Sequence, residues 1–232
     1  MKKVVQFCIR NMNVVLRILK ITQWYFIMAF KYTCSLGKWC HSSQMLKDNS
    51  VKRCSYPFDW VHSSCDAILH CIEDDFKIFL DKSYYKSESD TKCAHLLYHP
   101  EMFNHHNPLS NEDNYKYFIR CVDRFRQLLK TDESKFFIMM LPNNNNITED
   151  MKEKVIRFNE QFSKHTTNYK LLVILHVKDR SANYHHFTHS DNIDFLELHT
   201  IASSGGTYFL THGDNHYFND IIRKTYEFDL EN

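Results

Sequence analysis

A chain of 232 residues is long enough to bury a substantial core, and one domain with a short appendage is the simplest organisation. Its 29 Lys and Arg residues nearly balance its 28 Asp and Glu residues without any basic block, so we expect no nucleic-acid partner. The 8 cysteines form no Cys-x-x-Cys pair, which favours buried thiols in a reducing, cytoplasmic compartment over a disulfide framework.

Residues 1–27 are predicted to form a helical N-terminal extension ahead of a single domain over residues 28–232. Apolar residues recur there at helical spacing, with charged residues on other faces. The uncharged stretch Ile21–Phe30 has 10 residues, whereas a membrane-spanning helix needs about 20. We therefore expect no transmembrane segment. The extension is expected to pack on the domain, dock a partner or lie on a membrane surface.

The domain opens with an apolar run, Trp24–Tyr32, that predicts a buried strand. A turn at Gly37 and a helix over residues 39–48 follow. The chain has only 4 glycines, so Gly37 indicates a backbone conformation that other residues resist.

The rest of the chain alternates predicted helices and strands. Helices are predicted over 61–79, 118–129, 148–164 and 214–225, and strands over 136–141, 171–177, 193–199 and 207–211. Ser110 and Asp113 resemble a capping box, and Thr148 is the expected cap of its helix. The strands are continuously apolar, and a strand–helix–strand unit of this length implies a parallel pair. The sequence predicts an α/β fold, a three-layer sandwich with a mostly parallel sheet.

The strand–turn–helix over residues 34–40 is the sharpest local signal of a functional site. Backbone N–H groups in the first turn of a helix lack intrahelical partners and stabilise an anion. A thiolate at Cys40 would gain from them, so we expect a lowered pKa and a nucleophilic thiol. The same N–H groups suit the oxyanion of a reaction intermediate or a bound phosphate, and the residues alone leave both open.

Several sequence elements resemble a bacterial and viral domain family described as putative papain-like cysteine peptidases. The most specific are Ser-Leu-Gly-x-x-Cys at residues 35–40 and Pro-Phe-Asp-Trp at residues 57–60. The likeness continues through IEDDFKIFL at 72–80, FNHH at 103–106 and YFIRCVDRF at 117–125. It covers roughly residues 30 to 141 and implies a papain-like α+β fold as the alternative to the α/β prediction.

The resemblance also implies roles for individual residues. By position, Cys40 corresponds to the nucleophile, and His105 in the Phe-x-His element corresponds to the base. The family often has an acidic residue after that histidine, whereas this chain has His106, so the choice between the two histidines stays open. Asp59 is either the cap of the following helix or the third group that orients a catalytic histidine.

Neighbouring residues are candidates for substrate binding, and no metal or cofactor is expected. The substrate-binding set is Gly37, Trp39, Arg53, Trp60 and His106. Arg53 suits a carboxylate or phosphate, although a salt bridge explains it equally well. Nothing places the pair His185 and His189, which is followed by Asp191, on a helix, so zinc is disfavoured. His212 and His216 follow a predicted strand, with Asp214 between them as the expected helix cap, and the chain has no glycine-rich nucleotide-binding motif.

Together these features favour a cysteine-dependent hydrolase of an amide, isopeptide or ester bond in a peptide or small molecule. The alternative is a non-catalytic or regulatory binding protein that uses the same strand–helix pocket for a phosphate- or sugar-containing ligand. Abundant Asn, Ile, Lys, Tyr and Phe are typical of an AT-rich genome, such as that of a large DNA virus or a protozoan. For a viral source the predicted compartment is the cytoplasm of the host cell.

Overall fold

A computed structural model describes residues 29–179 and 181–230; the predicted extension over residues 1–27 lies outside these ranges. Within them the chain forms five α-helices and eight β-strands. The helices are α1 (Cys40–Asp48), α2 (Cys65–Glu73), α3 (Glu112–Lys130), α4 (Glu149–Phe162) and α5 (His212–Thr225). The strands are β1 (Tyr32–Ser35), β2 (Tyr85–Ser89), β3 (Lys92–His95), β4 (His99–Phe103), β5 (Lys135–Asn144), β6 (Tyr169–Lys178), β7 (Tyr184–Ser190) and β8 (Ile193–Thr200).

The main sheet has five strands in the order β1-β5-β6-β8-β7. Its first four strands run parallel, and β7 pairs antiparallel with β8 at one edge. The apolar strands β5 and β6 lie inside the sheet, where helices cover both faces. The predicted α/β fold with a mostly parallel sheet is confirmed. The α+β alternative is also consistent with the structure, because a separate antiparallel sheet, β2-β3-β4, is present.

Two hydrophobic clusters fill the space on either side of the main sheet. Helices α2, α3 and α4 pack on one face, and α1 and α5 pack on the other. Phe136 and Phe137 are adjacent on β5 and enter different clusters, because successive side chains of a strand point to opposite faces. The helix after β1 therefore covers one face, and the helix after β5 covers the other. The two connections diverge at the carboxyl ends of these neighbouring strands.

The second helix is shorter than predicted. It begins at Cys65 instead of residue 61 because the hydroxyl of Ser64 accepts a hydrogen bond from the backbone N–H of Ala67 at 3.1 Å. It ends before Asp75 and Phe76, whose φ values of 53° and 58° are left-handed and incompatible with a continuing helix. The third helix also has a different cap. Asn111, not Ser110, accepts a hydrogen bond from the N–H of Asn114 at 3.0 Å.

Two predictions near the C-terminus were wrong. Residues 207–211 form a loop with one isolated bridge, Ser204 to Phe209, instead of a strand. Asp214 does not cap α5, because Thr211 accepts the hydrogen bond from the Asp214 backbone N–H at 3.4 Å. The Asp214 carboxylate instead accepts from the N–H of Ala202 at 2.8 Å, which holds the loop against the helix.

The strand predicted to begin at Trp24 is β1, which starts at Tyr32, and residues 24–28 lie outside the described ranges. The small sheet over residues 85–103 had no prediction, because strands such as β2 are mostly polar and exposed. In the described ranges all seven cysteines are free thiols. No helix there is long and apolar enough to cross a bilayer.

Candidate active site

The backbone after β1 stays against β5 beyond the end of the strand. Leu36 donates its N–H to the carbonyl of Ile138 at 2.8 Å, and the carbonyl of Gly37 accepts from the N–H of Met140 at 2.9 Å. Gly37 has a φ of 86°, which side chains resist, and a Cβ there would lie 2.1 Å from the Ser63 hydroxyl oxygen. Both the conformation and the space therefore require glycine at this turn.

Residues 62–64 pack against the same turn and bond to its backbone. The hydroxyl of Ser63 donates to the carbonyl of Leu36 at 2.8 Å, and its N–H donates to the carbonyl of Lys38 at 3.4 Å. Helix α1 starts two residues after Lys38, and α2 starts two residues after Ser63. These contacts hold the two helix N-termini together, each with a cysteine as its first residue.

Cys40 is the half-buried first residue of α1. Trp39 occupies the cap position and makes no capping hydrogen bond with its side chain. The other four α-helices of the described ranges are capped by side-chain oxygens, those of Ser64, Asn111, Thr148 and Thr211. The first-turn N–H groups of α1 therefore remain available to an anion beside Cys40.

The expected lowering of the Cys40 pKa is wrong. Burial raises the pKa of this thiol to about 11, and it outweighs the lowering by a backbone hydrogen bond. The negative charge of Asp59 raises the pKa further. Cys40 is therefore a neutral thiol at neutral pH, and its chemistry requires a base.

A group of histidines lies beside the turn. The ring of His62 is 5.9 Å from that of Trp39 and stacks on His99 at 4.9 Å. Burial lowers the pKa of His62, and the neighbouring His99 and His105 lower it further. No sequence pattern singled out His62, although it follows the Pro-Phe-Asp-Trp element by two residues. Among the described residues, Cys40 makes no hydrogen bond to a histidine.

The two histidines of the Phe-x-His element have different surroundings. His105 is exposed, and its charge acts on His62. His106 stacks on Tyr117 of α3 at 4.9 Å, and burial lowers its pKa. Packing against α3 holds His106 in place, whereas His105 is exposed.

Asp59 is fully buried and pairs with Lys52. Its carboxylate also accepts a hydrogen bond from the backbone N–H of Tyr56 at 2.8 Å. Burial raises the pKa of Asp59, and the Lys52 ammonium partly opposes this. The helix-cap interpretation is wrong, because α2 starts six residues later at its own cap, Ser64. Within the described ranges Asp59 contacts no histidine by hydrogen bond, so its bonds tie together the loop before α2.

The remaining substrate-binding candidates are dispersed. Arg53 is exposed and makes no ion pair among the described residues. Trp60 is half-buried, with the Lys52 ammonium 5.9 Å from its ring centroid. Trp39, in contrast, lines a cavity of about 810 Å³ that reaches from the Gly37 turn to α4. Of the predicted set, Trp39 lines this cavity, Gly37 and Cys40 belong to the turn beside it, and Arg53, Trp60 and His106 do not line it.

The histidine pairs do not form a recognisable metal centre. His185 and His189 lie on strand β7, where four residues span about 13 Å. They bond to Tyr217 at 2.6 Å and to Asp194 at 2.8 Å, respectively. His212 and His216 face each other on α5 with their Nε2 atoms 2.8 Å apart. In the described part of the chain, no three or more His, Cys, Asp or Glu side chains are arranged to hold a metal ion.

A buried polar network joins α1 to the loop after β8. His41, next to Cys40, shares a 2.8 Å hydrogen bond between its Nδ1 and the Ser204 hydroxyl. Asn143 binds the backbone of Ser204 in both directions, at 2.8 and 2.9 Å. Burial lowers the pKa of His41 to about 3, so the ring is neutral at physiological pH. The network fixes one side of the first turn of α1 from a distant part of the sequence.

In a comparison with known protein families, this chain matches one family model. A family model described as "putative papain-like cysteine peptidase" matches residues 31–182, which is 152 of the 232 residues. No curated protein and no solved structure matches the chain. The matched segment contains the Gly37 turn, Cys40 and the histidine group, and it extends past β6.

Proposed function

The chain belongs to the family described as putative papain-like cysteine peptidases, and from that premise we propose a cysteine-dependent hydrolase with Cys40 as its nucleophile. The observation that supports this is the position of a half-buried thiol at the one uncapped α-helix N-terminus of the described residues. The N–H groups there can bind the oxyanion that forms when sulfur attacks a carbonyl carbon. An amide, isopeptide or ester bond is the substrate class.

The neutral thiol determines how the reaction starts. A histidine takes the proton from Cys40 as its sulfur bonds to the carbonyl carbon, and the carbonyl electron pair moves onto oxygen. The tetrahedral intermediate collapses, and the leaving amine or alcohol departs with the proton held by the histidine. The resulting thioester is attacked by water, which the same histidine deprotonates. Release of the carboxylic acid returns the proton to the thiol.

His105 is the proposed base. Its exposed ring lies beside His62 and accepts no hydrogen bond from the described residues, so it can turn toward a bound substrate. His62 is held between Trp39 and His99 and is proposed to shape the site. The carboxylate of Asp59 is paired with Lys52, so its proposed role is to hold the loop before α2 and not to contact the base.

The alternative function is binding of a phosphate- or sugar-containing ligand at the same turn. Lys38 favours it, because this exposed cation lies two residues before Cys40 and makes no ion pair within the described ranges. A bound phosphate would use the first-turn N–H groups without any reaction at sulfur.

The test combines hydrolysis with measurement of phosphate binding. Hydrolysis of a fluorogenic peptide amide and a peptide ester is measured for wild type, Cys40→Ser, Cys54→Ser and His105→Ala. We expect Cys40→Ser to abolish turnover, Cys54→Ser to retain it, and His105→Ala to lose about 10²- to 10⁴-fold. Turnover that survives Cys40→Ser in folded protein excludes Cys40 as the nucleophile. Absence of turnover in wild type, together with calorimetrically measured binding of phosphate, would favour the alternative.

A further inference from the structure

The cavity beside the Cys40 turn lies where the fold leaves space for a ligand. It has a volume of about 810 Å³ and opens at the carboxyl ends of β1 and β5. Because the connections after these strands go to opposite faces of the sheet, a crevice forms between them, and α/β proteins bind ligands at such points. The volume falls within the range of about 300–1,000 Å³ typical of ligand sites.

The walls of the cavity are more apolar than polar. Its walls include Leu36 and Met139 from the sheet, Ile68 and Leu69 from α2, and Val155 and Phe158 from α4. The five ionisable side chains of Lys, Arg, Asp and Glu at the cavity are all exposed, three positive and two negative: Lys38, Asp66, Lys154, Arg157 and Glu160. Lys154 and Arg157 are also paired along their own helix with Asp150 at 2.6 Å and Glu153 at 3.6 Å. A rim of mixed sign over an apolar interior selects an uncharged, apolar occupant.

The cavity borders the turn that carries the proposed nucleophile. Trp39 lines its wall and is followed directly by Cys40, which does not line the cavity itself. Ser63, which bonds to the turn, lines the same wall. A group seated against Trp39 therefore lies next to the residue that carries the thiol. This placement suits a side chain whose own peptide passes the N-terminus of α1.

We propose that this cavity binds a large aliphatic or aromatic side chain of a peptide substrate and thereby sets the specificity of the site. The identity of the occupant as part of a substrate rests on the proposed hydrolase function. Binding of an apolar group to the cavity does not, because it follows from the walls alone. The two parts can therefore fail separately.

The alkylation rate of Cys65 reports on reagents that enter the cavity. This half-buried thiol lies in the wall, and its sulfur contacts the sulfur of Met139 at 3.9 Å. A reagent that enters the cavity therefore reaches it. Cys54 is also half-buried but does not line the cavity, and it serves as an internal control in the same protein.

In the experiment the full chain is alkylated with N-methyl-, N-butyl- and N-cyclohexylmaleimide, and the rate at each cysteine is followed by peptide mass spectrometry. The ratio of the Cys65 rate to the Cys54 rate removes differences in intrinsic reactivity. We expect the ratio to rise at least about tenfold from the methyl to the cyclohexyl reagent, since each added methylene strengthens binding in an apolar pocket. A ratio that stays flat or falls overturns the proposal.

The second part of the experiment uses a variant whose side chain fills the cavity. Met151→Trp places a large ring in the space from a half-exposed position on α4, and Leu109→Trp is a matched change at an exposed leucine outside the cavity. We expect the rise in the ratio to disappear only with Met151→Trp. If circular dichroism shows that this variant is unfolded, Leu69→Phe on α2 repeats the test. Retention of the rise in a folded filled variant also overturns the proposal.

The Cys40→Ser variant separates the two hypotheses. It should lose hydrolysis and keep the maleimide preference at Cys65. With active wild type, peptides that carry Leu or Phe beside the scissile bond should exceed their Ala counterparts in kcat/KM by about tenfold or more, and Met151→Trp should remove the difference. An intact maleimide preference without this substrate preference shows that the cavity binds apolar groups but does not select the substrate, which overturns its assignment to specificity.

Discussion

The hydroxyl of Ser63 donates a 2.8 Å hydrogen bond to the carbonyl of Leu36, across the turn that precedes Cys40. A Cβ on Gly37 would also lie 3.6 Å from the carbonyl oxygen of Phe58. The elements Ser-Leu-Gly-x-x-Cys and Pro-Phe-Asp-Trp, separated in sequence, therefore meet in one place. Their joint function in the fold is to set the N-termini of α1 and α2 beside each other.

Gly37→Ala should destabilise the protein. The new Cβ would meet the Ser63 hydroxyl at 2.1 Å, and alanine resists a φ of 86°. We expect a loss of about 1–3 kcal/mol in the free energy of urea unfolding. Gly213→Ala is the control, because its Cβ meets nothing within 4 Å and alanine favours the helix. Equal stability of the two variants would contradict the strained turn.

Alkylation of Cys40 should increase with pH well beyond neutrality. Burial raises the pKa of this thiol to about 11, so the thiolate fraction of the ligand-free protein grows tenfold per pH unit up to about pH 10. Iodoacetamide labelling of wild type, resolved by peptide mass spectrometry, measures this between pH 7 and pH 10. A plateau below pH 8 would show a preformed thiolate and would contradict the requirement for a base.

Acid should weaken the protein through two buried histidines. Nδ1 of His176 accepts a hydrogen bond from the backbone N–H of Asn143 at 3.0 Å, and protonation of this nitrogen would break that bond. The other nitrogen therefore carries the hydrogen and donates to the hydroxyl of Thr200 at 2.8 Å. Burial lowers the pKa of His176 to about 4 and that of His41 to about 3, both below the unfolded value of 6.5.

A histidine whose pKa is lower in the folded protein than in the unfolded chain costs no stability while it is neutral in both states. The stability is therefore complete above about pH 6.5 and is lost as the pH falls toward the folded pKa, by about 1.4 kcal/mol per pH unit for each histidine. Urea unfolding at pH 7.5 and pH 5.0 measures the loss, which should be smaller in His176→Gln. The exposed His186→Gln is the control, and an identical pH dependence in both variants would disprove this assignment.

Removal of one partner of the buried pair Lys52 and Asp59 should cost more than removal of both. Asp59→Ala leaves the Lys52 ammonium without its partner at a site where its side chain is only 10% exposed, so we expect a loss of about 3–5 kcal/mol. Lys52→Met combined with Asp59→Leu should recover part of this in urea unfolding. Glu88→Ala breaks the exposed pair with Lys86 and should have a small effect. A double variant weaker than Asp59→Ala would contradict the interpretation.

Deletion of residues 1–27 should leave a cooperatively folding domain. The family match begins at residue 31, and Phe30 packs on Phe136 at 5.2 Å, so the first contacts of the described fold come after the deletion. Thermal unfolding and gel filtration of the truncated chain measure this. Loss of folded, soluble protein would show that the segment belongs to the core.

The parallel sheet follows from patterns within the sequence. Apolar runs at β5 and β6, with a helix capped by Thr148 between them, are local patterns that hold in any context, and they predict a parallel pair with a crossover. The sequence also placed Gly37 at a turn before a helix predicted from residue 39, and in the structure that helix starts at Cys40. The small sheet over residues 85–103 was not predicted, because its strands have too few apolar residues to show the alternation of a half-buried strand.

The surroundings of Cys40, in contrast, depend on how distant segments of the chain fold together. His62 lies beside Trp39, and Ser204 reaches His41 across 163 residues, because the fold brings their segments together. The pKa of Cys40 shows the same limit. A helix N-terminus alone favours the thiolate, but burial by residues from other elements opposes it more strongly. Local backbone geometry follows from neighbouring residues, whereas burial, charge and the shape of a cavity depend on distant ones.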